Sequence, residues 1–306
     1  MSNKIVKITA EGHEIFKQAP SGKLTFNHYD FYINHDIDEA DFWLVYNNLP
    51  QTETTFCPPQ HIVFAGGEPP AVRSWKKRFL KQFKTVILCD PNLKHRHVID
   101  QCLLQHYISS LTFKQLQTVA APKKTKCLSI VSSNKSYTKG HQQRLACIDI
   151  LQQHFGDQLD VFGRGFQPIN CKWDALYDYR YHIAIENSCL PNYWTEKIMD
   201  PLLAWCHPLY FGAPNIDKVF HPKAFTRIDI NQPDSVIQTI ETILANDDYY
   251  SDSASFIEKE RNNLLTSHSF FGRLSSILDT IPIAYGAKEK KKITLYPEDK
   301  LPFYLF

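Results

Sequence analysis

The chain has 306 residues, 43% hydrophobic and 22% charged, with a net charge of +2, which is room for two domains of about 150 residues and too balanced in sign for a general nucleic-acid surface. No stretch reaches the ~18 apolar residues that span a bilayer, and MSNKIVKITAEGHEIF lacks a signal-peptide core, so a secreted or membrane-spanning form is not expected. Eight cysteines, none in a C-x-x-C pair and several in apolar runs such as VILCD, read as reduced core thiols of a cytoplasmic protein.

Residues 1–120 read as an α/β domain. Short β-type runs KIVKITA, YDFYINH, DFWLVYNN, HIVFAGG and TVILCD follow one another. Between the last two, Val72, Trp75, Phe79 and Phe83 recur at helical spacing in AVRSWKKRFLKQF, which predicts a helix over 71–83 and a βαβ unit. Lys77, Lys81 and Lys84 fall on its solvated face. VAAPKKTK, residues 119–126, reads as a linker. A second α/β series occupies 121–280: CLSIVSS, LDVFGRG, YHIAIEN and HPLYFGAP as strands, GHQQRLACIDILQQHF as a helix, and further helices over 195–206, 232–246 and 253–280 with breaks. A basic and aromatic tail closes the chain over 281–306. Two α/β halves leave a cleft, and in open parallel sheets ligands sit at the carboxyl ends of strands.

Three places there carry candidate chemistry. Glu186-Asn187-Ser188 follows the buried strand YHIAI, and Tyr193-Trp194-Thr195-Glu196-Lys197 opens the next apolar segment. Thr195 suits a helix cap, and the free N–H groups of a first helical turn attract anions. Lys197 in that turn makes sense beside a phosphate; the alternative is a capped helix with a solvated lysine. Asp200-Pro201 leaves two helix starts open, one at Glu196 with a kink and one at Pro201. Arg144 opens the first helix of the second domain and can grip phosphate bidentately, with Ser133 and Asn134 as neutral partners at the preceding strand end; otherwise it is a surface arginine. Glu68, in FAGGEPPAV, is held between two glycines and two prolines, a position suited to general-base work or to a plain polar turn. Other signals fall short. FGRGF lacks the third glycine of a dinucleotide fingerprint, Asp36–Asp38 reads as a loop, and no carboxylate or cysteine completes a metal site around His95–His97.

The contiguous stretch YHIAIENSCLPNYWTEKIMDPLLAWCHPLYFGAPNIDKVFHPKAFTRIDI closely resembles the signature region of the α-1,3/4-fucosyltransferases, glycosyltransferase family ten. Weaker echoes are VSSNK…QQR, LDVFGRG and FAGGEPP. The resemblance implies a GT-B-type architecture, two Rossmann-like α/β domains facing across a cleft, with an acceptor-side domain over 1–120 and a nucleotide-sugar donor domain over 121–280. It implies inverting transfer of L-fucose from GDP-β-L-fucose to a hydroxyl of an N-acetylglucosamine-containing glycan. It implies donor-binding positions at Arg144, Asn187, Tyr193, Glu196 and Lys197, and a base position at Glu68. His182 and Ile185 stand where the family usually has aromatics, and Pro201 is unusual within the helix.

Such a transfer needs a base for the acceptor hydroxyl and positive charge on the departing diphosphate. Glu68 can supply the first; Arg144, Lys197 and helix N–H groups can supply the second in place of a metal. No obligatory cofactor or metal is expected, a divalent ion being at most stimulatory. Glu186 and Glu196 complete the donor set, Glu196 with reach to ribose hydroxyls, and Tyr193 can pack on nucleotide or sugar. The expected partners are the nucleotide-sugar donor and a glycan acceptor, with no nucleic acid. Two alternatives are a transferase of another nucleotide sugar and a non-catalytic glycan- or nucleotide-binding module. Lys288, Lys290, Lys291 and Lys292 beside Leu295, Tyr296, Phe303, Tyr304 and Phe306 suit either a peripheral contact with an anionic membrane or a tail that packs back on the protein.

Overall fold

The computed structural model describes residues 2–11, 19, 21–103, 108, 110–281 and 290–302. Two compact units divide the chain, Met1–Gln105 with Ser267–Phe306, and His106–Thr266.

The first unit opens with strands β1 (Lys4–Ala10), β2 (Lys23–Phe26), β3 (Tyr29–Ile33), β4 (Phe42–Tyr46), β5 (Glu53–Cys57) and β6 (Ile62–Ala65), helix α1 (Lys77–Leu80), then β7 (Thr85–Ile87) and β8 (Val98–Ile99). Its seven-stranded sheet runs β2-β3-β1-β4-β6-β7-β8 and is parallel except for the β2–β3 pair. Both faces are covered, so the strands are apolar on both sides. In β4, Phe42, Leu44 and Tyr46 join one core cluster while Trp43 and Val45 join the other. Lys7 of β1 is buried on the second face, where Glu53 pairs with it at 3.2 Å and the Trp43 ring lies 5.1 Å away. A lone buried ammonium there would be costly; the carboxylate offsets it.

The second unit contains α2 (Phe113–Thr118), β9 (Lys126–Val131), α3 (Lys139–Phe155), β10 (Leu159–Phe162), β11 (Tyr179–Ile185), α4 (Glu196–Leu203), β12 (His207–Phe211), β13 (Thr226–Arg227), α5 (Pro233–Leu244) and α6 (Tyr249–Leu264). Its five strands, in the order β10-β9-β11-β12-β13, are all parallel. Arg144, Cys147, Ile148, Leu151 and Phe155 make the buried stripe of α3, at the spacing of one helix face. The last two elements, α7 (Phe270–Thr280) and β14 (Lys291–Leu295), return to the first unit.

The structure departs from the sequence reading in places and decides between its two alternatives for the tail. First, α7 belongs with the first sheet, where Phe270, Phe271, Leu274, Ile277 and Leu278 cover Phe31, Phe42 and Leu44; an amphipathic pattern shows that a helix has a buried face but not which sheet it covers. The expected linker is also anchored. Lys124 donates to the carbonyls of Leu176, Tyr177 and Ala204, fixing that segment to the second unit. Second, the helix expected over 71–83 shrinks to Lys77–Leu80, because the Trp75 indole N–H donates to the Asn47 carbonyl and the Lys76 N–H to Glu298. Third, within 290–302 the tail is committed to the first unit. β14 pairs antiparallel with β5, Leu295 enters the core, and Lys290 pairs with Glu39 and Asp41. Lys288, Phe303, Tyr304 and Phe306 lie outside the described residues. The eight cysteines are free thiols, six of them buried and Cys127 and Cys189 exposed. Among the described residues no helix is long and apolar enough to cross a membrane.

Candidate functional site

The carboxyl ends of the adjacent strands β9 and β11 meet the starts of α3 and α4. Thr138 caps α3 by accepting from the His141 N–H, and Thr195 caps α4 by accepting from the Lys197 N–H at 3.2 Å. The cap settles the start of α4 at Glu196, with Pro201 inside the helix. Gly140, in the first turn of α3, lets that helix approach the β11 end: a Cβ there would meet the Asn187 carbonyl oxygen at 2.2 Å. From the next turn Arg144 donates through Nη1 to Asn187 Oδ1 at 2.8 Å and through Nη2 to the Ser133 carbonyl at 3.2 Å. One guanidinium thus ties both strand ends together. It is 6% exposed, its Nε donates to none of the described residues, and burial lowers its pKa. A buried cation with an unused donor suits an anionic partner.

Beside it, Glu186 is the pivot of a second set. Its carboxylate accepts the Thr195 N–H and the Thr195 hydroxyl, each at 2.8 Å, and lies 3.5 Å from Lys197 Nζ. Gly212 makes room for it, since a Cβ there would meet Glu186 Cγ at 2.4 Å. Lys197 also pairs with Glu196 at 3.0 Å, and Lys172 bridges Asp200 at 3.1 Å and Glu196 at 3.7 Å. Full burial pushes the Glu186 carboxyl up to about 7, while Lys197 and Lys172 hold Glu196 down at about 2. Glu196 and Glu186 raise the pKa of Lys197 in turn, and Arg144 works against them. Three carboxylates therefore face Lys172, Lys197 and Arg144. This group can orient two cations toward an incoming anion without spreading positive charge over the surface. His182, beneath it on β11, takes its Ser129 partner at 2.8 Å, and burial lowers its pKa to about 3, so it is neutral. It lines a cavity of about 10 Å3 with Lys172, Glu196, Lys197 and Asp200.

Among the residues singled out from sequence, the structure brings together Arg144, Ser133 and Asn187 in one group and Glu186, Glu196 and Lys197 in the next. Ser133 contributes its carbonyl. Asn134 is exposed on the loop after β9, its N–H bonded to the Arg164 carbonyl at 2.9 Å. Tyr193 is 2% exposed, so its ring is packed in the interior of the second unit. Glu68 lies in the first unit, exposed just past the carboxyl end of β6, and lines a cavity of about 40 Å3 with Arg73, Ser74, Trp75, Cys89 and Asp90. The backbone before it is fixed: Gly67 N–H donates to Asn47 Oδ1 at 2.8 Å, and the Gly67 carbonyl accepts from Cys102 Sγ at 3.4 Å. Sequence reasoning missed Lys172 and Asp200. Lys172 sits in a short 3-10 turn with no periodic signal, and Asp200 read as a cap for Pro201 rather than as a buried acid.

Residues 121–269 match the family model described as glycosyltransferase family 10 (fucosyltransferase) C-term. The chain is 31% identical over 113 residues to the alpha-(1,3)-fucosyltransferase B of Drosophila melanogaster, covering 35% of this chain and 25% of that protein. It is 32% identical over 96 residues to a 3-galactosyl-N-acetylglucosaminide 4-alpha-L-fucosyltransferase of Homo sapiens, covering 30% and 25%. It is 30% identical over 105 residues to the alpha-(1,3)-fucosyltransferase FucT of Helicobacter pylori, covering 34% and 22%. The matched stretches thus span about a quarter of these relatives' own length. Among solved structures, an alpha1,3-fucosyltransferase with GDP superposes with a TM-score of 0.57 at 20% identity, covering 92% of each chain. One with GDP-fucose gives 0.55 at 19%, covering 93% of each. The fold is the GT-B-type α/β fold of those structures, and residues 121–269, just under half of the chain, match the C-terminal part of family-10 fucosyltransferases.

Proposed function

We propose that this chain is an inverting fucosyltransferase of family 10 that moves L-fucose from GDP-β-L-fucose to a hydroxyl of an N-acetylglucosamine-containing glycan. The observation that carries the reading is the convergence of Arg144 and Lys197 at the ends of β9 and β11, inside the stretch matched to the family. In this reading the two cations and the N–H groups opening α4 hold the diphosphate and take up the charge that develops as GDP departs. Glu196, ionised and held by Lys172 and Lys197, accepts from ribose hydroxyls. Glu68 takes the acceptor hydroxyl's proton, a role worth about 10²–10⁴-fold where a base is well placed. No metal is assigned a step, because the chain's own cations neutralise the leaving group.

We further propose a cytoplasmic location. The pairing of β14 with β5 and of Lys290 with Glu39 and Asp41 favours a tail that braces the first unit over one that meets a membrane. The test is a transfer assay with GDP-fucose, other GDP-sugars and UDP-sugars against an array of glycan acceptors. The expected result is fucose transfer to an N-acetylglucosamine-containing acceptor from GDP-fucose alone. Transfer of a different sugar overturns the donor assignment, and GDP binding with no transfer to any acceptor makes the chain a binding module.

A further inference from the structure

We infer that Glu298, in the C-terminal tail, is a positioning residue for Glu68, an assignment that rests on the transferase reading. Tail and base loop lie far apart in sequence and both belong to the first unit. The Glu298 carboxylate grips the loop after Glu68 at two points. Oε2 accepts from Arg73 Nη2 at 2.8 Å, and Oε1 accepts the backbone N–H of Lys76. Lys76 is the N-cap of α1 and makes no side-chain cap of its own. Glu298 therefore caps that helix from 222 residues away, placing a carboxylate at a helix start. Its side chain is 14% exposed, against 45% for Arg73.

The grip reaches Glu68 through Trp75. The Arg73 guanidinium lies 5.7 Å from the Trp75 ring. The indole N–H donates to the Asn47 carbonyl at 3.0 Å. The ring itself rests on Gly66, where a Cβ would meet Trp75 Cη2 at 2.4 Å. Asn47, held in the left-handed region at φ 62°, uses its side chain to fix the Gly67 N–H. Both neighbours preceding Glu68 are thus set by the Asn47–Trp75 pair, and Glu298 holds the segment that carries Trp75. Arg73 and Trp75 also form the wall of the cavity that Glu68 lines. The rest of the tail fastens the strap: Gln82 brackets Tyr296, with Tyr296 N donating to Gln82 Oε1 and Gln82 Nε2 to the Tyr296 carbonyl, each at 2.9 Å, and Arg78 donates to the Pro302 carbonyl. A base displaced by about an ångström loses much of its effect, so a distant clamp can govern turnover without touching substrate.

The experiment compares Glu298→Ala and Glu298→Gln with the wild-type chain. In Glu298→Ala, amide exchange over 66–76 should accelerate about tenfold or more, with exchange in the second unit and GDP affinity unchanged. kcat should fall about tenfold while KM for GDP-fucose and the pH profile of kcat stay put, because the base is misplaced rather than replaced. Glu298→Gln keeps an oxygen for the Lys76 N–H and loses the Arg73 ion pair, so it should recover part of both effects. Wild-type exchange over 66–76 in Glu298→Ala overturns the inference, and so does accelerated exchange with undiminished kcat. If the wild-type chain transfers no fucose, the transferase reading falls, and exchange alone still decides whether Glu298 holds this segment.

Discussion

Glu186 accepts both the backbone N–H and the hydroxyl of Thr195, each at 2.8 Å, so the residue that caps α4 is itself held by the end of β11. This lock fixes the direction in which the first turn of α4 presents Lys197. It also has a titration signature. The folded pKa of Glu186, about 7, lies above its usual 4.5, so the stability it contributes is fully present below pH 4.5 and is lost as pH rises through about 7. Glu196 behaves oppositely: its share is present above 4.5 and is lost as pH falls through about 2. Glu186→Gln removes the first term together with a charge that supports Lys197, which stays protonated throughout the window between 4.5 and 7. The stability of the wild type relative to Glu186→Gln should therefore fall by about 3 kcal/mol between pH 4.5 and 7. Urea denaturation at several pH values in that window reads it, and a pH-independent difference would show that Glu186 is ionised throughout.

Arg144 should carry much of the nucleotide affinity. Arg144→Ala is expected to weaken GDP binding about 10- to 100-fold by calorimetry, the size of a lost charge-assisted contact. Arg144→Lys should recover little, since one ammonium cannot reach Asn187 Oδ1, the Ser133 carbonyl and a phosphate together. Unchanged affinity in both variants would take Arg144 out of the phosphate site.

Gly140 tests the packing beneath that arginine. A Cβ placed 2.2 Å from the Asn187 carbonyl oxygen forces α3 and the β11 end apart. Gly140→Ala should cost about 1–3 kcal/mol of stability and weaken GDP binding with it. A variant as stable as wild type, binding GDP equally well, would mean that α3 adjusts without disturbing the strand ends.

Leu295 tests the tail as part of the first unit's core. It is 2% exposed and packs with Trp43, Val45, Leu49 and Phe79. Leu295→Ala should destabilise by about 2–5 kcal/mol in chemical denaturation. A loss below about 0.5 kcal/mol would mean that β14 is peripheral to that core.

Much of this was legible in sequence where a pattern is local. YHIAI reads as a buried strand because it is apolar on both faces, as β11 is, and α3 declares itself by one apolar stripe from Cys147 to Phe155. Glu186, Asn187, Glu196 and Lys197 sit at a strand end and a helix start, so the group at the end of β11 was visible as well. What stayed hidden depends on partners remote in the chain. The helical spacing of Val72 and Trp75 is overridden because Glu298 takes the Lys76 N–H that a longer helix would use, while the Trp75 indole is anchored to the Asn47 carbonyl. The Lys172–Asp200 pair joins a turn to a helix with no shared motif. The place of α7 on the first sheet is a choice between two apolar faces that its own sequence does not encode.

The central claim is that Glu68 removes the acceptor's proton while Arg144 and Lys197 hold the nucleotide. Single-turnover transfer from GDP-fucose by Glu68→Gln, measured beside calorimetric GDP binding, tests it most directly. The account predicts wild-type GDP affinity with transfer reduced about 10²-fold or more. Wild-type transfer rates in Glu68→Gln would contradict it and require another base.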